Sequence, residues 1–424
     1  MSAPSAPTRL DPLPPVARRT LRIAVIAPPW IPVPPPAYGG IEAVVALLCD
    51  ELAARGHDVT LFAAPGSRSA ARIRMPLEQA HPDQIGSTPF EADYVASAYD
   101  MVDSAARDGE RFDVVHDHSG FTAVAMAHRL STPVVHTLHA SFNDETRPFY
   151  CRHGHKARLV AISQNQLEHA PPSVHVADVV PNPTRVQEWP FEQARGDYLL
   201  WMGRMDPVKG AHRAIEVARH VGRRLVLAGP VQPGQEGYFR SEIEPRIDGE
   251  QITFAGEVGG AHRKQLLAKA RAFLMPIRWP EPFGMVMVEA LACGTPVIAF
   301  PEGAASEIVI DGENGFHVAD EREMAAAVAE LGAIDPQRCR ESVAERYDVG
   351  IVADGYEAVY NSALRRAERV RFFDRPRPAR RPQAAGTARG RTRAPSLEVL
   401  DLAAPRRSRA PPLSCDSHAP LPAK

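Results

Sequence analysis

Tyr198-Leu-Leu-Trp-Met-Gly-Arg-Met-Asp-Pro-Val-Lys-Gly210 sets the pattern for the whole chain. Its first five residues are a short apolar run of strand character, and a helical pattern follows over 211–221. Arg204 and Lys209 therefore stand on the loop at the strand's C-terminal end. Open α/β sheets bind their ligands at that end. Downstream, the alternation continues through strands at 225–228, 252–255, 272–275 and 296–300. Helices are expected at 263–270, 286–292 and 324–331. Upstream, strands are expected at 21–27, 58–63, 113–116, 134–138, 158–162 and 176–180. A helix over 40–55 carries Ile41, Val44, Val45, Leu48 and Leu52 on one face and is capped by Gly56. Residues 88–111 read as mostly helical, with no role assigned. Strands alternating with helices imply parallel sheets covered on both faces. Because the grammar restarts after Trp189, two Rossmann-like domains with a cleft between them are expected.

Charge and proline mark where that body stops. The 424 residues carry a net charge of −2, but residues 371–424 hold 12 Lys/Arg against 4 Asp/Glu. The first 370 hold 37 against 47. Of 41 prolines, 20 fall within 1–36 and 371–424. Proline lacks a donor N–H and blocks helix interiors. The expected organisation is a disordered proline-rich segment 1–20, an N-terminal domain 21–189, a C-terminal domain 190–345, a helix 346–368 packing back on the first domain, and a disordered basic tail 369–424. The acidic body argues against nucleic-acid binding. No apolar run approaches the roughly 20 residues that span a bilayer. Leu21–Ala27 is too short for a signal segment and runs into prolines. Five scattered cysteines without a CxxC argue against a disulfide scaffold or a zinc site, and fit a reducing cytoplasm.

The segment richest in chemistry is Trp279-Pro-Glu-Pro-Phe-Gly-Met-Val-Met-Val-Glu-Ala290. Pro282 suits a helix entry. The amides of Gly284, Met285 and Val286 are then free at the helix start, where the macrodipole favours an anion such as phosphate. Glu289 leans back toward that start and suits the vicinal hydroxyls of a ribose. Glu281, just ahead of the helix, can reach a sugar beside the phosphates. Taken alone, the two glutamates are ordinary helix-end acids. Beside Arg204 and Lys209, a fork and a point charge for a pyrophosphate, they form a site.

These motifs resemble the retaining glycosyltransferases of family 4, which have the GT-B fold: Gly203-Arg204, Lys209-Gly210, Glu281-Pro-Phe-Gly284, Glu289-Ala290 and Gly294-Thr-Pro-Val297. The resemblance spans about Leu21 to Leu364. It implies transfer of a sugar, with retention, from a nucleotide diphosphate-sugar (UDP-, GDP- or ADP-linked) to a hydroxyl acceptor on a glycan, lipid or small molecule. Arg204 and Lys209 match the family's diphosphate cations. Glu289 matches its ribose glutamate, and Glu281 the first acid of its Glu-x7-Glu motif. Gly39 and Gly40, in Tyr38-Gly-Gly-Ile-Glu42, match the loop that closes on the phosphates. Pro301-Glu-Gly-Ala-Ala305 departs from the family's commoner glycine pair, and Asn182-Pro183 from its Asn-Gly.

His116, Asp117, His118, His136 and His139 fall at two strand ends. They read as a metal site, as structural histidines, or as polar groups facing sugar and acceptor, with His139 the foremost catalytic candidate beside Glu281, Arg204 and Lys209. No cofactor or metal is expected, since Arg204 and Lys209 supply the positive charge and no Asp-x-Asp element is present. A cytoplasmic location is expected, with peripheral contact at the inner membrane face left open. An epimerase of the same fold and a non-catalytic nucleotide-sugar binder remain alternatives. A nicotinamide dehydrogenase fits poorly, because Pro28-Pro-Trp-Ile-Pro-Val-Pro-Pro-Pro36 stands where a GxGxxG turn is needed.

Overall fold

Residues 19–37 and 39–373 are described by the computed structural model. Residues 1–18, Tyr38 and 374–424 lie outside it, and so does most of both proline-rich ends. Through Arg365 the chain forms one compact unit, and every contact given below lies within it.

The first half runs β1 (Arg22–Ile26), α1 (Gly40–Ala54), β2 (Asp58–Phe62), β3 (Arg72–Arg74), α2 (Thr88–Arg107), β4 (Val114–Asp117), α3 (Thr122–Met126), β5 (Val134–Leu138), α4 (Thr146–His153), β6 (Arg158–Ala161), α5 (Gln164–Glu168) and β7 (Val176–Val179). Its strands form one parallel sheet in the order β3-β2-β1-β4-β5-β6-β7. The second half runs β8 (Tyr198–Met202), α6 (Ala211–His220), β9 (Arg224–Ala228), α7 (Glu236–Tyr238), β10 (Ile252–Phe254), α8 (Gly260–Ala268), β11 (Ala272–Met275), α9 (Met285–Ala292), β12 (Val297–Ala299), α10 (Ala305–Ile308), β13 (Gly315–His317), α11 (Glu321–Glu330), α12 (Pro336–Ala344) and α13 (Val349–Phe373). Its sheet is also parallel, in the order β10-β9-β8-β11-β12-β13.

In both sheets the central strands are buried on both faces, so they read as unbroken apolar runs rather than as alternation. The role of α2 becomes clear. Its Tyr94, Val95, Ala98, Tyr99 and Val102 cover one face of the first sheet against Ile26, Phe62 and Val115. The other face is covered by α1 and α13. Val352, Tyr356, Val359 and Tyr360 of α13 share a core with Val25, Val114, Val135 and Val160. The chain crosses between domains beside Thr184, whose amide donates to Tyr347 O and whose carbonyl accepts from Val349 N, each at 2.8 Å.

Several short elements carried too little pattern to be expected, α3, α4, α5, α7 and α10 among them, and three others show why. β3 is Arg-Ile-Arg, a charged edge strand with a single apolar residue. β13 has three residues. α12 announced itself only through Asp335-Pro336: the Asp335 side chain accepts from Gln337 N, and proline takes the first turn. α9 starts at Met285 with Gly284 as a left-handed N-cap, so Pro282 precedes the helix instead of opening it. α13 is described as far as Phe373, five residues past the expected 368.

Each sheet reverses its winding once, between β1 and β4 and between β8 and β11. Such switch points open crevices at the carboxyl ends of the strands. The loops after β1, β4, β8 and β11 carry Gly39, His118, Lys209 and Glu281 respectively.

Candidate functional site

The loop after β8 is built locally. The Asp206 side chain accepts from Val208 N at 3.0 Å, which caps a 3-10 turn over Pro207–Lys209. Trp201 Nε1 donates to Lys209 O at 3.1 Å and ties the turn to the strand. Gly210 follows with φ 80°, and a Cβ there would sit 2.3 Å from Pro276 O. Only glycine lets the loop after β8 press this closely on the loop after β11.

That closeness brings Lys209 and Glu281 together. The Lys209 ammonium and the Glu281 carboxylate form an ion pair, each side chain only 14% exposed. Trp279 Nε1 donates to the same carboxylate at 2.8 Å. The Lys209 ammonium also lies 5.2 Å from the centroid of the Trp279 ring, a cation–π distance. Glu281 is further gripped through its backbone. Ala304 N donates to Glu281 O at 2.9 Å. Gly303 has φ +60°, and a Cβ there would fall 2.3 Å from both the N and the O of Glu281. The Pro301–Ala305 departure thus retains its glycine at the point of closest approach.

Arg204 stands apart from this pair, donating from Nη1 to Gln232 Oε1 at 3.1 Å. The amides of Gly284, Met285 and Val286 open α9, where helix geometry leaves them without intrahelical acceptors. Glu289 is 5% exposed and paired with Arg263 of α8. Burial raises its carboxyl above the usual range, and Arg263 partly opposes that rise. Trp279, Gln232 and Arg263 were not singled out from sequence. Trp279 stands inside the decisive segment, but Gln232 and Arg263 have no local pattern that marks them.

On the N-terminal side, Gly39 is the N-cap of α1 and Gly40 its first residue. The histidines form a buried chain. His118 Nδ1 meets His139 Nε2 at 2.9 Å, and His118 Nε2 meets His116 Nδ1 at 3.3 Å. His116 also meets Tyr360 Oη at 2.7 Å and Thr137 Oγ1 at 2.8 Å. His116 therefore faces α13, beneath the sheet, and is structural rather than a sugar-facing group. His136 lies 3.4 Å from Asp117, whose carboxylate also accepts from Ser119 N and Oγ and from Tyr99 Oη. Burial holds His116, His118 and His139 well below their ordinary values, His139 at about 3, so these rings are neutral at pH 7. The Nδ1 of His139 is buried and without a partner. Two residues on, Ser141 Oγ donates to Pro280 O at 2.9 Å, which sets the end of β5 against the Glu281 segment. Among the described residues, no group of three His, Cys, Asp or Glu side chains is arranged to hold a metal ion.

Comparison with known proteins bears on the family and the fold. A model described as glycosyltransferase family 4 matches residues 38–186, and one described as glycosyl transferases group 1 matches 187–344. The chain belongs to this family. A glycogen synthase of Mycobacterium tuberculosis (strain ATCC 25618 / H37Rv) is 26% identical over 392 residues, covering 78% of this chain and 93% of that protein. A phosphatidyl-myo-inositol mannosyltransferase of Mycobacterium leprae (strain TN) is 27% identical, covering 82% and 99%. Among solved structures, AviGT4, a glycosyltransferase involved in avilamycin A biosynthesis, superposes with a TM-score of 0.58 at 27% identity, covering 81% of this chain and 98% of its own. The two parallel sheets are those of a GT-B glycosyltransferase. Among the described residues, no helix of this glycosyltransferase is long and apolar enough to cross a membrane.

Proposed function

We propose that this glycosyltransferase moves a sugar from a nucleotide diphosphate-sugar to a hydroxyl acceptor with retention at the anomeric carbon. The observation that carries the reading is the Lys209–Glu281–Trp279 cluster ahead of the α9 N-terminus. A departing nucleotide diphosphate develops negative charge. Lys209, Arg204 and the Gly284–Val286 amides are the groups that meet it, with Gly39 and Gly40 closing from the other domain. Lys209 has a partner to give up: a diphosphate takes the ammonium from Glu281 and leaves that carboxylate to a sugar hydroxyl. Glu289 accepts from the ribose hydroxyls. The acceptor attacks from the face the diphosphate leaves, and its proton passes to the departing phosphate oxygen. A neutral His139 donates to or accepts from a sugar hydroxyl once donor binding uncovers its buried, unpartnered Nδ1. No divalent metal is required by this scheme.

The relatives named above act on different acceptors by name, a glycogen synthase and a phosphatidyl-inositol mannosyltransferase among them, so the acceptor is proposed only as a hydroxyl. The decisive experiment pairs Lys209→Ala with wild type in transfer assays across UDP-, GDP- and ADP-sugars, with thermal shift by the free diphosphates. Loss of both transfer and diphosphate stabilisation, in a variant that keeps its melting temperature, is expected. Unchanged transfer would sink the assignment. NMR coupling at the product's anomeric carbon tests retention.

A further inference from the structure

Among the described residues, two sets of polar contacts cross between the domains close to Glu281. The first is Ser141 Oγ to Pro280 O, one residue from Glu281. The second is made by Glu307, on α10. Its carboxylate accepts from Gln164 N at 2.9 Å and Asn165 N at 2.5 Å, the first two amides of α5 in the other domain. The third amide, Gln166 N, is satisfied within α5 by the Ser163 side chain at 3.1 Å. Helix starts leave such amides without intrahelical partners. Here two of them are satisfied by a carboxylate from across the cleft.

Glu307 is firmly rooted on its own side. Arg346 donates to Glu307 O at 2.8 Å and to Ile308 O at 3.1 Å. Three residues before Glu307, Ala304 N holds Glu281 O, and Gly303 packs against the Glu281 backbone. A cavity of about 160 Å³, lined in part by Ile162, Phe283, Glu307 and Tyr347, lies at the same crossing. Ile162 packs at this crossing into the same buried apolar cluster as Phe283, Ala304, Ile308 and Tyr347, so apolar contact accompanies the hydrogen bonds.

From these contacts we infer that Glu307 is a positioning residue: it links the N-terminus of α5 to the loop that holds Glu281, so that docking of the two domains sets where the Glu281 carboxylate stands. Ser141 supplies the second grip on the same segment. The inference rests on the reading of Glu281 as the acid beside the transferred sugar, but the linkage itself is independent of any activity.

Hydrogen exchange on the full chain tests it directly, with UDP, GDP or ADP present and absent. Glu307→Ala should speed exchange at the Gln164 and Asn165 amides by about ten- to a hundredfold, as expected when a charged acceptor is lost. It should also speed exchange at Ala304 and across 280–286, to which the Glu307 carboxylate makes no hydrogen bond. Glu307→Gln, which keeps one acceptor oxygen, should restore much of the protection. Faster exchange confined to α5, with Ala304 and 280–286 unchanged, overturns the inference, as does an alanine variant that exchanges like wild type throughout. In the transfer assay, Glu307→Ala should lower kcat about tenfold through misplacement, with diphosphate affinity unchanged. A parallel loss of diphosphate affinity and melting temperature also overturns it, since that is a general folding defect. If Lys209→Ala leaves transfer intact, the site reading fails while the exchange result still decides the linkage.

Discussion

The two domains have parallel sheets with the same kind of switch point, yet the strand ends facing the cleft are chemically opposite. After β8 and β11 stand charges in pairs, Lys209 with Glu281 and, from α9, Glu289 with Arg263. After β4 and β5 stand imidazoles that burial keeps neutral, His118 and His139. On the function proposed above, the difference divides the labour between the two halves. A half that meets a diphosphate needs cations, and cations held in a low-dielectric crevice need counter-charges to satisfy them while it is empty. A half that meets hydroxyls needs donors and acceptors without net charge. Hydrogen bonds to neighbouring side chains keep such groups in place.

The sharpest way to break this comparison is to exchange losses between the halves. Lys209→Ala should reduce transfer by about 10²–10³, the usual cost of removing one donor to developing charge, and should abolish thermal stabilisation by nucleotide diphosphates. His139→Ala should lower transfer while leaving diphosphate stabilisation as in wild type. If both variants lose diphosphate binding equally, the division is wrong. Next in size is Gly303→Ala. A Cβ at a positive φ and 2.3 Å from the Glu281 backbone must displace the Glu281 segment. Both kcat and melting temperature should fall, whereas Gly312→Ala, at a positive φ with nothing within 4 Å, should cost stability alone.

Smaller effects sharpen the picture of the neutral half. Tyr360→Phe deletes one buried hydrogen bond to His116 and should cost about 1 kcal/mol of stability, read by denaturant unfolding, with kcat little changed. Glu42, in the first turn of α1, is 6% exposed, and burial raises its carboxyl to about 7. The folded state then holds that proton more tightly than the unfolded chain. Its stability contribution is full at low pH and is lost as pH rises from 4.5 through about 7. Glu42→Gln should flatten that part of the stability–pH curve and raise the melting temperature at pH 8. An unchanged slope would show that Glu42 is not the titrating group.

How much of this was legible beforehand varies with how local the cause is. The central strands and the long helices follow from apolar runs and period, because burial on both faces or along one stripe writes itself into consecutive residues. β3, with one isoleucine between two arginines, left almost no trace. Of the site, Arg204, Lys209, Glu281 and Glu289 could be named from sequence, since each stands at a strand end or helix start. Their partners could not. Arg263 reaches Glu289 from another helix, and Gln232 reaches Arg204 from another loop. His116 and His139 share strand-end positions, and the sequence favours His139 without showing where either ring turns. The pleat and α13 turned one inward and left the other with a free Nδ1.

The amino-acid sequence by itself determined the two-domain α/β architecture, the family, and the charged groups at the strand ends, because periodicity, capping and short motifs act between near neighbours. The tertiary structure alone decided who pairs with whom: Lys209 with Glu281, His118 with His139, Glu307 with the first amides of α5. Those contacts join residues 21 to 143 positions apart. They arise only when parallel strands have been laid side by side and the chain has crossed between its two sheets, and no local rule of spacing encodes that arrangement.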